Sequence, residues 1–217
     1  MVRYTLTVEG LSDGYVSPSV REILPGIQHW TAFHEGIGMD VSSYWVGDDP
    51  ITLLDPLLPG EGLDWFREHG PPGQILLTNR HHYRHSDKFV EAFGCPVLCE
   101  RSGLHEFEGG PEVEAFDFGD KLGAAITAHE MGAICSEDTV LHIALGDGAL
   151  AFADSLIHYG SVGFVPDHFM DEPETVKRKA REKVEELLEL DFEHLLFAHG
   201  EPRIGDGRQA LRDFLAG

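Results

Sequence analysis

The sequence predicts a single α/β domain, and three observations carry that expectation. Short apolar runs closed by Gly, Asp or Pro recur along the chain, at QILLT (74–78), CPVLCE (95–100), TVLHIAL (139–145) and ALAFAD (149–154), as buried strands require. A helical period separates them elsewhere, most clearly in DEPETVKRKAREKVEELLELDF, where Val176, Ala180, Val184, Leu187 and Leu188 fall on one face. No Ser/Gly-rich linker, low-complexity stretch or fixed-period repeat divides the 217 residues, a length that one hydrophobic core can serve.

In order along the chain, residues 1–22 read as an N-terminal extension. Ile23 to Leu58 then alternates apolar runs with turn residues and suits two or three antiparallel strands, with Gly47 to Pro50 turning between SSYWV and ITLLD. Gly62 to His69 is a short helix stopped by Pro71, Pro72 and Gly73. Strand QILLT, a helix over Ser86 to Phe93 and strand CPVLCE follow in the order of an α/β unit. Glu112 to Ala153 is strand-like. Pro173 sits in the first turn of the long helix, where its missing N–H costs little. HLLFAHGEP then reads as a buried strand leaving a loop, and residues 201–217 contain a closing helix, GRQALRDFLAG.

Composition narrows the function classes. With 42% hydrophobic and 25% charged residues, the chain has a globular composition. A formal net charge of −22 argues against nucleic acid, whose sequence-independent binding needs Lys and Arg on the phosphates. The first residues, MVRYTLTVEGLSDG, resemble neither a signal nor a transit peptide, and no apolar run approaches a membrane span, so a cytoplasmic location is expected. Cys95, Cys99 and Cys135 cannot all pair within one chain and are read as free thiols. The expected partner is a small molecule; a homo-oligomer stays open.

Metal-capable side chains gather where apolar strands end. ILLTNRHHYRHSD (75–87) and LLFAHGEP (195–202) both do so, and ALAFAD brings Asp154 to the end of a third run. His and Asp from three separated strand ends can converge on one ion. There is no Gly-x-Ser-x-Gly elbow, no phosphate-cradling loop and no dinucleotide fingerprint. Cys135 with His129 is a weak nucleophile pair on sequence proximity alone.

The order of these pieces, ITLLDP, ILLTNRHHYRH, LAFAD and LLFAHG, resembles the metallo-β-lactamase superfamily over residues 23 to 200. The resemblance implies an αββα sandwich of two mixed sheets packed face to face with helices outside. It implies a site built from a His-x-His-x-Asp-His loop, a later His, a bridging Asp and a final His, which hold two metals for hydrolysis. Matched to that loop, Asn79 stands at the first His, His81 at the second, Tyr83 at the Asp and Arg84 at the last His. A lactamase subgroup carries Asn at the first position. Ala133 or Ile134 takes the later His, with Cys135 beside it, while Asp154 matches the bridging acid and His199 the final His. Asp55 matches an acid that supports a metal-binding His.

An Arg cannot ligate a cation, so at most one metal is expected. In one arrangement His81, Asp154 and His199 hold a single zinc or other divalent ion, with His82 or His85 recruited, and hydrolyse a small ester or thioester. In the other no metal binds, Arg84 pairs with Asp154, and the chain is a non-catalytic binding or scaffold protein. His168, in a loop with Pro and aromatic residues, and His158, four residues after Asp154, are candidates to face the pocket. His29, His34, His69, His105, His142 and His194 read as structural or solvated.

Overall fold

The computed structural model describes residues 19–217, so the N-terminal sequence read above lies outside the described residues. In chain order the elements are β1 (Arg21–Leu24), β2 (Ile27–His34), β3 (Met39–Val46), β4 (Thr52–Leu54), α1 (Asp64–His69), β5 (Gln74–Leu77), α2 (Ser86–Phe93), β6 (Val97–Glu100) and β7 (Glu114–Phe116). The second half supplies β8 (Ile126–Glu130), β9 (Thr139–Ile143), β10 (Ala149–Phe152), β11 (Ile157–His158), β12 (Val162–Gly163), α3 (Pro173–Leu187), β13 (His194–Phe197) and α4 (Gly207–Ala216). β1 therefore begins inside the stretch read as an extension.

The first sheet keeps sequence order from β1 to β7, antiparallel through β4 and parallel from β4 onward. The second has the order β13-β10-β9-β8, with only β10 and β13 parallel among its pairs. Strand alternation sorts the apolar residues into layers. Leu54 and Leu76 face Ala149, Ala151 and Leu196 between the sheets, with Tyr44, Phe116, Leu141 and Ile143. Leu53, Ile75 and Leu77 point the other way onto Phe66 of α1 and Phe89 of α2. Leu150, Phe152 and Phe197 likewise point outward onto Ala180, Val184 and Leu187 of α3 and Leu211 of α4. Strands buried on both faces must be apolar throughout, which is why β5, β10 and β13 read as unbroken runs. The αββα layering is the one the resemblance implies.

The two sheets are tied at one edge by polar bonds. β13 is an edge strand, and an edge leaves backbone groups without ladder partners. The Tyr44 hydroxyl from β3 fills two of them, donating to the Phe197 carbonyl at 2.8 Å and accepting from the Phe197 N–H at 3.0 Å. Ser42 N–H donates to Ala198 O at 2.9 Å, and Thr139 N–H to Thr78 O at 3.0 Å. The carboxyl ends of β4, β5, β10 and β13 are thereby held around one place.

Tyr44→Phe strips both Phe197 backbone groups of their partner in a buried position, and is expected to destabilise the fold by about 1–3 kcal/mol. Urea unfolding measures this; an unchanged midpoint would remove Tyr44 from the account of how the sheets are joined.

Candidate metal centre

Directly after β5, Asn79 caps a short 3-10 turn over Arg80–His82, its side-chain oxygen accepting the His81 N–H at 2.9 Å. With three residues per turn, positions i and i+3 share a face. Asn79 and His82 therefore look the same way, and His81 is rotated out to solvent. The residue that meets Asp154 and His199 is His82, in place of the expected His81.

Three ligand atoms converge. His82 Nε2 lies 3.2 Å and His199 Nε2 3.1 Å from Asp154 Oδ1, an oxygen shut off from solvent. One ligand atom from each of the three residues can be chosen so that all lie within 4.8 Å of one another. On the far side of the His82 ring, Nδ1 is 3.0 Å from Asp55 Oδ2 and 3.2 Å from Thr78 Oγ1. A carboxylate on Nδ1 orients the imidazole and directs the other nitrogen at a metal.

Charge reinforces this geometry. Burial alone would depress the His82 imidazole, but the charges of Asp154 and Asp55 outweigh it and hold its pKa up at about 9. Burial works to raise both aspartates, yet the His82 charge carries Asp55 below its ordinary value and, with the approach of His199, holds Asp154 well below the carboxylate range. Both are anionic at neutral pH.

The remaining expected residues divide. Asn79 donates through Nδ2 to Asp154 Oδ2 at 3.1 Å and to Cys135 Sγ at 3.5 Å. Its oxygen is used in the cap, so it serves as a donor to the acid. Cys135 forms part of the wall with its thiol pushed up by burial and by Asp138, which makes it a poor nucleophile at neutral pH. Arg84 makes no ion pair with Asp154. It sits at φ +47, and its Nη1 donates to the carbonyls of Ser42 and Asp55, both at 2.7 Å. Carbonyls take its Nη1 because the Asp55 carboxylate is already filled by Thr78 and His82.

Tyr83 turns away onto Phe107, ring centroids 5.8 Å apart. His85 precedes α2 and accepts the Leu58 N–H on Nδ1 at 3.1 Å, which spends it on the loop after β4. His168 is exposed beside Phe169. Ala133 packs on the apolar layer under α3. His158 directs Nδ1 to Glu201 O at 2.7 Å and pairs through its backbone with His199 and Glu201. A Cβ on Gly200 would stand 2.0 Å from His158 O, and Gly200 has φ +94, so only glycine can follow His199 here.

One contributor to the site's framework escaped the sequence reading. Arg80 forms an ion pair with the buried Glu137, fixing the turn to the loop after β8.

No family model and no curated protein matches this chain. Solved structures do. It superposes on a metallo-β-lactamase from Pontibacter korlensis with a TM-score of 0.68 and 17% identity, covering 91% of this chain and 97% of that one. A β-lactamase domain protein from Burkholderia ambifaria gives 0.66 and 16%, over 91% and 75%. A B3 metallo-β-lactamase with an active-site glutamic acid gives 0.63 and 16%, over 93% and 88%. The chain has the metallo-β-lactamase fold. Among the described residues no helix is long and apolar enough to cross a membrane.

His29 supports the loop after β13 through a chain of bonds: Nε2 to Ser42 Oγ at 3.1 Å, and Ser42 Oγ to Gly200 O at 2.9 Å. Burial, then Arg21, lowers its pKa from 6.5 to about 4. Above pH 6.5 the ring is neutral in folded and unfolded chains alike. As pH falls from 6.5 toward 4 only the unfolded chain takes up the proton, so stability is lost in that window. Between pH 7 and pH 5 the wild type should lose about 2 kcal/mol more than His29→Gln in paired urea titrations. Parallel losses would contradict the assignment.

Proposed function

We propose that the chain is a hydrolase that binds one divalent metal through His82, Asp154 and His199 and acts on a small ester or thioester. The observation that carries this is the convergence of two imidazole Nε2 atoms on the buried Asp154 Oδ1, with His82 braced from behind by Asp55. Ligands of a tetrahedral ion with bonds of about 2.0–2.1 Å stand roughly 3.3 Å apart, close to the 3.1 and 3.2 Å separations here. Two imidazoles and a carboxylate suit zinc and leave a coordination position open; the bound ion supplies Lewis-acid activation of water and of the scissile carbonyl.

The chain's own residues do the rest. Asp55 holds Nδ1 of His82, so that Nε2 faces the site and presents its lone pair once a metal displaces its proton. Asn79 fixes the second oxygen of Asp154. Arg84, at the position of a second-metal ligand in the family loop, adds positive charge there and cannot ligate, which limits the centre to one ion.

A second reading is favoured by one feature: His82 spans Asp55 and Asp154, so an imidazolium can satisfy both acids without a metal. The chain would then be a binding or scaffold protein. Elemental analysis of untagged protein prepared without chelators separates the two. About one equivalent of metal is expected, lost in His82→Ala and kept in His81→Ala. Two equivalents would contradict the single centre, and metal-free protein with a melting temperature unchanged by added zinc would establish the second reading.

A further inference from the structure

Glu137 and Asp138 are consecutive acids, both fully buried, in the loop that leads from β8 into β9. Glu137 reaches the turn after β5, where its carboxylate pairs with Arg80, two residues before His82. Asp138 reaches the end of β10, where its Oδ2 accepts the hydroxyl of Ser155, the residue after Asp154. The backbone around them is fixed as well. Asp138 O accepts the N–H groups of Met131 and Gly132 at 3.0 and 2.9 Å, the Thr139 hydroxyl donates to Glu137 O at 2.7 Å, and the Thr139 N–H holds Thr78 O at 3.0 Å.

Stability alone is a weak reason to keep such acids. A buried ion pair is commonly no more stabilising than apolar residues of similar volume, and Asp138 Oδ1 is buried with no hydrogen-bond partner, which opposes folding. Burial raises the Asp138 carboxyl to about 7, against the pull of the Ser155 bond, so asparagine is a close substitute for its neutral form. Glu137 in turn depends on a glycine: a Cβ on Gly103 would stand 2.8 Å from Glu137 Cγ and 3.0 Å from Cys99 Sγ. What the two acids share is their reach, because β5 lies in the first sheet and β10 in the second, and each acid holds a near neighbour of one proposed ligand.

We propose that Glu137 and Asp138 are positioning residues for the metal centre, setting from one loop the spacing between His82, which follows a strand of the first sheet, and Asp154, which follows a strand of the second. His82 Nε2 meets Asp154 Oδ1 at 3.2 Å across that junction, and a shift of either segment changes the separation without altering a ligand. Metal affinity depends on such groups outside the coordination sphere, which orient the ligands. The effect on affinity rests on the metal-binding reading above; the hold on His82 and Asp154 does not.

Zinc affinity of the full chain, measured by chelator competition on protein whose urea curve shows it folded, tests this. Ser155→Ala removes the bond to Asp138, and Gly103→Ala drives Glu137 off its path to Arg80. Each is expected to weaken zinc binding about tenfold, whereas Asp138→Asn, which keeps an oxygen for the Ser155 hydroxyl, stays within about threefold of the wild type. A purely structural role would lower the urea midpoint and leave the affinity of the folded protein alone. A change of less than about threefold in Ser155→Ala or in Gly103→Ala therefore overturns the proposal, as does a larger loss in Asp138→Asn. If either variant fails to fold, Arg80→Met, which opens the Glu137 pair, is read in its place. A wild type that takes up no zinc removes the hydrolase reading, and nitrogen NMR spectra of the imidazoles in the metal-free samples then decide. His82 signals shifted in both variants support the proposal, and signals unshifted in either overturn it.

Discussion

Asp55 leaves β4 in the left-handed region, at φ +46, and from there both carboxylate oxygens turn inward. Oδ1 accepts the Thr78 N–H at 2.8 Å, and Oδ2 meets the Thr78 hydroxyl and His82 Nδ1. Its carbonyl takes the Ser43 hydroxyl at 2.8 Å and Arg84 Nη1 at 2.7 Å. One residue thus sets where β5 ends, which way the His82 ring faces and where the Arg84 guanidinium rests. A buried carboxylate is tolerated only with its lone pairs met, and here the bonds that meet them also define the site. Removing the Asp55 side chain would free His82 to rotate and expose the difference between a braced ligand and a loose imidazole.

The arrangement also accounts for the balance of charge. Overall the chain carries −22, but around the site two anionic carboxylates face two imidazoles and one guanidinium. His82 can neutralise Asp55 from one nitrogen or Asp154 from the other, and a metal on Nε2 would relieve it of the second task. Arg84 then stands as a fixed positive charge against the carbonyl of Asp55. A second cation would have to bind against that charge with no imidazole or carboxylate from Tyr83 or Arg84 to hold it.

Much of the fold was legible because strand burial leaves a plain mark: runs apolar at every position can only be strands covered on both faces, and Ser86–Phe93 was placed to the residue. Asp55, Asp154 and His199 were legible for a related reason, since each lies within two residues of the end of an apolar strand and the strand fixes its position. His82 was not. Counting along a motif gives spacing but not which way each side chain faces, and the three-residue turn capped by Asn79 puts His82, not His81, on the inner face.

The placement of Arg84 is where charge reasoning and geometry part. From sequence, a guanidinium beside an unpaired acid should form an ion pair with it, and Asp154 was the acid to choose. A buried Arg, however, has five donors to satisfy, and the strand ends supply carbonyls at fixed positions with no side-chain entropy to lose. Ser42 and Asp55 offer two of these to a single nitrogen, whereas moving onto Asp154 would compete with His82 and His199 for one oxygen. The carbonyls win, and Asp154 keeps Oδ1 on the side facing the imidazoles, where one of the two arrangements expected from sequence had placed the guanidinium.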